Sequence, residues 1–294
     1  MKKFSLISSL FLTFTLQFAT AADTNGTLVV HTTRGLIREL APDGKTAVIR
    51  HEAIPGYMPA MTMELNVRDT NELRGLTAGD TITFRLTAND DTHWIDQLKK
   101  DSGATNSAPA PVAARHFSAV KELGPGDAIP DASFRDEHGQ TVRFSDFRGQ
   151  AVAFTFFFTR CPLPDYCPLM NKHFSTARRQ LLTSTNAPAN WSLLCISFDS
   201  EFDQPAVLAG YARTYRGDDT NRWLFASASQ ATLKELAPQL DLVVQADGPG
   251  FSHNLRTVVV DTRGRIHQQF DGNRWKAEEL AEALRKAAAV PLEP

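Results

Sequence analysis

Fifteen residues, Asp101 to Arg115, read DSGATNSAPAPVAAR and divide the chain. They are rich in Ser, Ala, Pro and Gly and show neither helical nor strand periodicity, the composition of a flexible linker. No single core can run through such a stretch, so the chain must fold as separate units on either side of it, and the linker is set at 101–117. A length of 294 residues fits one small and one medium module.

On the amino-terminal side, residues 27–100 read as short β-type runs broken by turns. The runs are Gly35 to Leu40, Thr46 to His51, Met61 to Val67, Thr81 to Thr87 and His93 to Leu98. Pro42-Asp43-Gly44 and Ala78-Gly79-Asp80 supply turn chemistry between them. Five short strands predict a small all-β barrel. Residues 118–294 instead alternate strands and helices, the texture of an α/β domain with a central sheet. Val152 to Phe158 is nearly all apolar, as a strand covered on both faces must be. Helices are expected from Pro168 to about Leu182, Gln204 to Tyr215, Gln230 to Leu240 and Lys276 to Ala288.

Residues 1–21 read as an export signal. Lys2 and Lys3 precede an apolar run, and Ala19-Thr20-Ala21 is a small-x-small cleavage site before Ala22. A periplasmic location follows, with no substantial membrane contact unless the signal is retained. A formal net charge of −2 lacks the basic excess that nucleic-acid binding demands, so no nucleic-acid partner is expected.

Export places all three cysteines in an oxidising compartment. Cys161 and Cys167 bracket a proline-rich loop between the apolar strand and a helix, and a helix N-terminus favours thiolate, the species that binds metal or attacks a disulfide. Two readings stay open: a static disulfide, or a metal and redox pair. A disulfide here would close a small ring and remove little chain entropy, which argues for the second. Cys195, inside an apolar strand, reads as core. Three methionines crowd into Met58-Pro59-Ala60-Met61-Thr62-Met63. Met61 and Met63 share one strand face as two thioethers, either core filler or soft ligands for Cu(I) or Ag(I). His51 closes the preceding strand and offers a third donor.

The motif Thr159-Arg160-Cys161-Pro162-Leu163-Pro164-Asp165-Tyr166-Cys167-Pro168, with Ile196-Ser197-Phe198-Asp199 and Phe251-Ser252-His253 ahead of Thr257 to Asp261, resembles the Sco/SenC family of copper chaperones. The resemblance implies a thioredoxin-like fold and copper held by Cys161, Cys167 and His253. It departs from the family in one respect, since five residues separate the cysteines where three are usual. The first module, about Thr32 to Lys100, resembles the CusF-like periplasmic copper-binding domain. That resemblance implies an OB-type barrel with His51, Met61 and Met63 as copper donors. Met58 stands where that family has a tryptophan, so a cation-π cap is replaced by a further sulfur donor. His93 and Trp94 are expected to be structural.

Together the resemblances imply a copper chaperone. Its acceptor would be a cuproprotein, such as a subunit of cytochrome c oxidase, and a periplasmic thiol reductant is a second expected partner. The competing readings are a thiol-disulfide oxidoreductase with Cys161 and Cys167 as catalytic thiols, and a copper or silver sequestration protein. Because transfer needs accessible metal, both sites are expected at the protein surface.

Overall fold

The computed structural model describes residues 28–89, 91–101, 121–247 and 250–292. The expected signal segment and all of the expected linker beyond Asp101 lie outside them.

Five antiparallel strands form the first module: β1 (Val29–Leu40), β2 (Thr46–His51), β3 (Met61–Asn66), β4 (Thr81–Ala88) and β5 (His93–Lys100), in the order β3-β2-β1-β4-β5. Alternation sends Ile37, Ile49, Leu65, Ile82, Phe84 and Ile95 into one buried core. Gly35 is required where β1 meets β2, since a Cβ there would sit 2.5 Å from the Ile49 side chain and 3.0 Å from the Arg50 carbonyl. This close approach sets the end of the ladder at which Gly35 pairs with His51. Register irregularities at Ile37/Glu39 in β1 and Thr83/Arg85 in β4 curl the sheet. The all-β module of five strands is as expected, but its sheet does not close into the expected barrel. After Asn66 only Val67 bridges to Ile95 of β5 before the chain turns away into a short 3₁₀ turn, so β3 and β5 remain edges without a ladder between them.

The second module is built on a seven-stranded sheet. Its elements run β6 (Ser133–Asp136), β7 (Thr141–Arg143), β8 (Ala151–Phe157), α1 (Cys167–Thr183), β9 (Trp191–Ser197), α2 (Pro205–Arg216), β10 (Trp223–Ser227) and α3 (Gln230–Leu236). There follow β11 (Val244–Asp247), β12 (Gly250–His253), β13 (Arg256–Val260), β14 (Ile266–Asp271) and α4 (Ala277–Ala288). The sheet order is β14-β13-β8-β9-β10-β6-β7, with β8, β9 and β10 parallel and β13 antiparallel to β8. Every residue of β8 and β9 is buried, because helices cover this sheet. This is the expected thioredoxin-like arrangement. The hairpin β11–β12 stands apart from the main sheet, and β12 packs on β3 of the first module.

Candidate metal centre

The loop after β8 owes its shape to its first residues. The buried Asp203 carboxylate accepts from the Thr159 amide at 3.0 Å and from the Ser197 hydroxyl at 2.5 Å, while Arg160 binds Asp199 at 2.6 Å. Pro162 and Pro164 then keep the chain out of helix until Cys167 opens α1, with Pro168 immediately behind it where no amide donor is needed.

Folding brings Cys161, Cys167 and His253 together, with one donor atom from each within 4.8 Å of the others. Cys167 is fully buried, and Cys161 and His253 keep part of their surface in solvent. No disulfide joins the cysteines; all three in the chain are free thiols. The two paired thiols differ in acidity. Burial opposes the Cys161 thiolate, but hydrogen bonds from Cys167 and His253, with the imidazole charge, together hold this thiol well below the ordinary range. Burial and the adjoining Cys161 push Cys167 well above it. The thiolate therefore rests on the loop cysteine rather than on the one that begins the helix. Cys195 is sealed in the core, with the Trp223 indole donating to its sulfur at 3.3 Å, and burial raises its thiol far above normal.

His253 is fixed in one orientation. Its Nδ1 lies 3.0 Å from the Asn254 carbonyl, which can only accept, so Nδ1 donates there and Nε2 is the nitrogen left to meet the sulfurs, while Phe158, Phe198 and Tyr166 flank the ring. The first module repeats the device. His51 Nδ1 lies 2.6 Å from the Glu52 carbonyl, its buried Nε2 has no partner among the described residues, and burial lowers its basicity, which keeps the ring a neutral donor. His51 stands opposite Met61 in the β2–β3 ladder.

The expectation that both sites are surface sites fails for the first module. Its donors are covered: His51 is 2% exposed, Met58 4%, Met61 4% and Met63 9%. Met61 and Met63 line the same cavity as Cys161 and His253, a space of about 280 Å³ including its open mouth. Met58 and His51 are not on its wall. Met58 lies in the preceding turn, bridged to Ile54.

Contacts between the modules had no counterpart in the sequence-based expectations, and three of them lie on the cysteine loop. Asp165 meets His93 Nδ1 at 2.5 Å, the Tyr166 hydroxyl donates to the Glu64 carbonyl at 2.8 Å, and the Tyr57 hydroxyl donates to the Pro162 carbonyl at 3.4 Å. Asp165, Tyr166 and Pro162 all lie between the two cysteines, so this loop also holds the first module. His93 is structural, as expected, but as part of this joint. The only signal in the sequence was the loop length itself.

Fold and site together define a thioredoxin-like protein with a soft-donor thiol and imidazole cluster, joined to a small β-module that carries thioethers. The SCO1/SenC family profile matches residues 121–289, more than half of the chain, which therefore belongs to that family. Residues 30–100 match the profile of CusF, described as a copper binding periplasmic protein, so the fusion expected from the motifs holds. No curated protein matches the chain. Among solved structures it is similar to a SCO1/SenC family lipoprotein from Bacillus anthracis str. Ames, with 17% identity over 58% of this chain and 99% of that one and a TM-score of 0.50. It is likewise similar to BsSco, described as a member of the Sco family of cytochrome c oxidase assembly proteins with a disulfide switch, with 20% identity over the same shares and a TM-score of 0.50. At these identities the likeness is one of fold. No helix among the described residues is long and apolar enough to cross a membrane.

Proposed function

We propose that this protein is a periplasmic copper chaperone that holds Cu(I) through Cys161, Cys167 and His253 and delivers it to a cuproprotein, such as a subunit of cytochrome c oxidase. The carrying observation is the convergence of two sulfurs and one imidazole nitrogen within 4.8 Å, a donor set suited to a soft monovalent ion. Partial exposure of Cys161 and His253 supports delivery by ligand exchange, since an acceptor thiolate reaches the ion from the solvent side while Cys167 stays covered. His51, Met58, Met61 and Met63 act as accessory donors that capture copper before the cysteines receive it. A CusF-like segment followed by a Sco segment in one chain is consistent with that order.

The test is anaerobic titration of the reduced full chain with Cu(I) against a competing chelator. Loss of a neighbour that merely orients a ligand costs roughly 10- to 100-fold in metal affinity, so Cys161→Ser and His253→Ala should each cost more than about 100-fold. Wild-type affinity in both variants would end the proposal.

One observation favours a second reading, reduction of cysteines on an apo-cuproprotein. A thiolate at Cys161 beside a protonated Cys167 is the arrangement that attacks a disulfide and then resolves the mixed disulfide. His253→Ala keeps both thiols and separates the readings. Oxidase assembly lost while dithiol reductase activity persists supports the chaperone; assembly retained supports the reductase. Sequestration instead predicts that gene deletion harms copper tolerance and leaves oxidase activity intact.

A further inference from the structure

Resting on the copper reading, we propose that the two modules share one metal centre when docked. A single Cu(I) at the Cys161, Cys167 and His253 cluster takes a thioether from Met61 or Met63 as an additional ligand, so the docked chain carries one composite site in place of two separate ones.

Three observations converge on this. The strand that presents His253, β12, packs directly on β3, which presents Met61 and Met63. Both methionines and both part-exposed donors, Cys161 and His253, line one cavity whose remaining wall includes Phe158 and Phe251. Among the described residues no carboxylate or ammonium group lines it, and its thiol, imidazole and thioether donors together select Cu(I) over harder divalent ions. The room it offers a water-sized sphere is about 20 Å³, far below the roughly 300–1,000 Å³ of pockets that take organic ligands and of a size for a single ion.

Docking is specific enough to hold such a centre. The bonds Asp165 to His93 and Tyr166 to the Glu64 carbonyl flank it, and Glu64 follows Met63 directly. The loop that carries the sulfurs is thus tied to the strand that carries the thioethers. Copper captured on the methionine strand need not enter solvent to reach the cysteines, because one ligand is exchanged for another within a single pocket at constant Cu(I) oxidation state.

The test uses the full chain labelled with selenomethionine, reduced and loaded anaerobically with one equivalent of Cu(I). X-ray absorption at the copper edge then separates cysteine sulfur from methionine selenium. The composite site predicts both scatterers at one equivalent, with no second tight equivalent. Met61→Leu/Met63→Leu, a volume-conserving change that leaves the fold intact, should then remove the selenium signal and weaken Cu(I) at least tenfold. Selenium that emerges only with a second equivalent overturns the composite site and leaves the copper reading standing. So does unchanged affinity in the double leucine variant, which would also expose a mixture of two independent sites, or selenium scattering that persists there through Met58. If Cys161→Ser binds as well as wild type, both proposals fail together.

Discussion

Acidity is divided between two thiols that touch. A thiol held well below its ordinary range keeps its thiolate as pH falls, whereas one pushed above it remains protonated through neutrality. With the metal removed, iodoacetamide should therefore alkylate Cys161 rapidly at neutral and mildly acidic pH, and Cys167 only slowly until the pH is raised well into the alkaline range. Peptide mapping of the alkylated chain checks this, and equal rates at both positions would contradict the assignment. Cys195 should stay unlabelled in the folded protein, because it is fully buried and donates to the Asn171 side chain at 3.2 Å. The candidate metal donors were legible in the sequence because soft donors are few and their types are unambiguous. His93 and Asp165 were not legible as partners, since a histidine and an aspartate 72 positions apart carry no mark of meeting.

At the scale of elements, the cysteine loop acts both as a carrier of ligands and as a fastening. Asp165 accepts His93 Nδ1, and the other nitrogen of that buried ring has no partner among the described residues. Asp165→Ala thus strands the whole imidazole without a hydrogen bond, at a cost of about 1–3 kcal/mol. Thermal melts should record this as a lower midpoint, and hydrogen exchange should rise in β3 and the loop while the second sheet keeps its protection. A different joint secures α2. Arg216 at its end and Glu137 beyond β6 form a fully buried ion pair, and Glu137 also donates its amide to the Phe225 carbonyl at 2.9 Å. Removing one charge leaves the other buried and alone, so Glu137→Ala should destabilise the second module by about 3–5 kcal/mol in chemical denaturation. The long elements followed their patterns. β8 and α1 came out within a residue or two of expectation, because burial on both faces or along one helical face imposes a clear pattern. The short strands β6, β7, β10, β11 and β12 were missed, having too few residues to show one.

For the whole molecule, the arrangement of the modules matters more than the fold of either. If the joint at Asp165 and Tyr166 holds them together, the wild-type chain should scatter X-rays in solution as a compact particle, with or without copper. Asp165→Ala/Tyr166→Phe should raise its radius of gyration toward that of two tethered bodies. An unchanged value in that variant would show that other contacts carry the docking. The curled five-stranded sheet fits the same picture. Its open edge includes β3, and that strand lies against β12 rather than against solvent.

The amino-acid sequence by itself determined the two modules, the classes of their folds, the family and the identity of the candidate ligands. These follow from local periodicity, turn chemistry and the scarcity of sulfur and imidazole donors, all of which are written along the chain. Only the tertiary structure decided that the methionine strand faces the cysteine loop across one cavity, that its candidate donors are covered, and that the cysteine loop fastens the modules. Those facts arise from pairings such as His93 with Asp165 and Glu64 with Tyr166, in which neither residue's neighbours in sequence reveal the other. Burial and geometry between distant segments come into being only when the chain has closed upon itself.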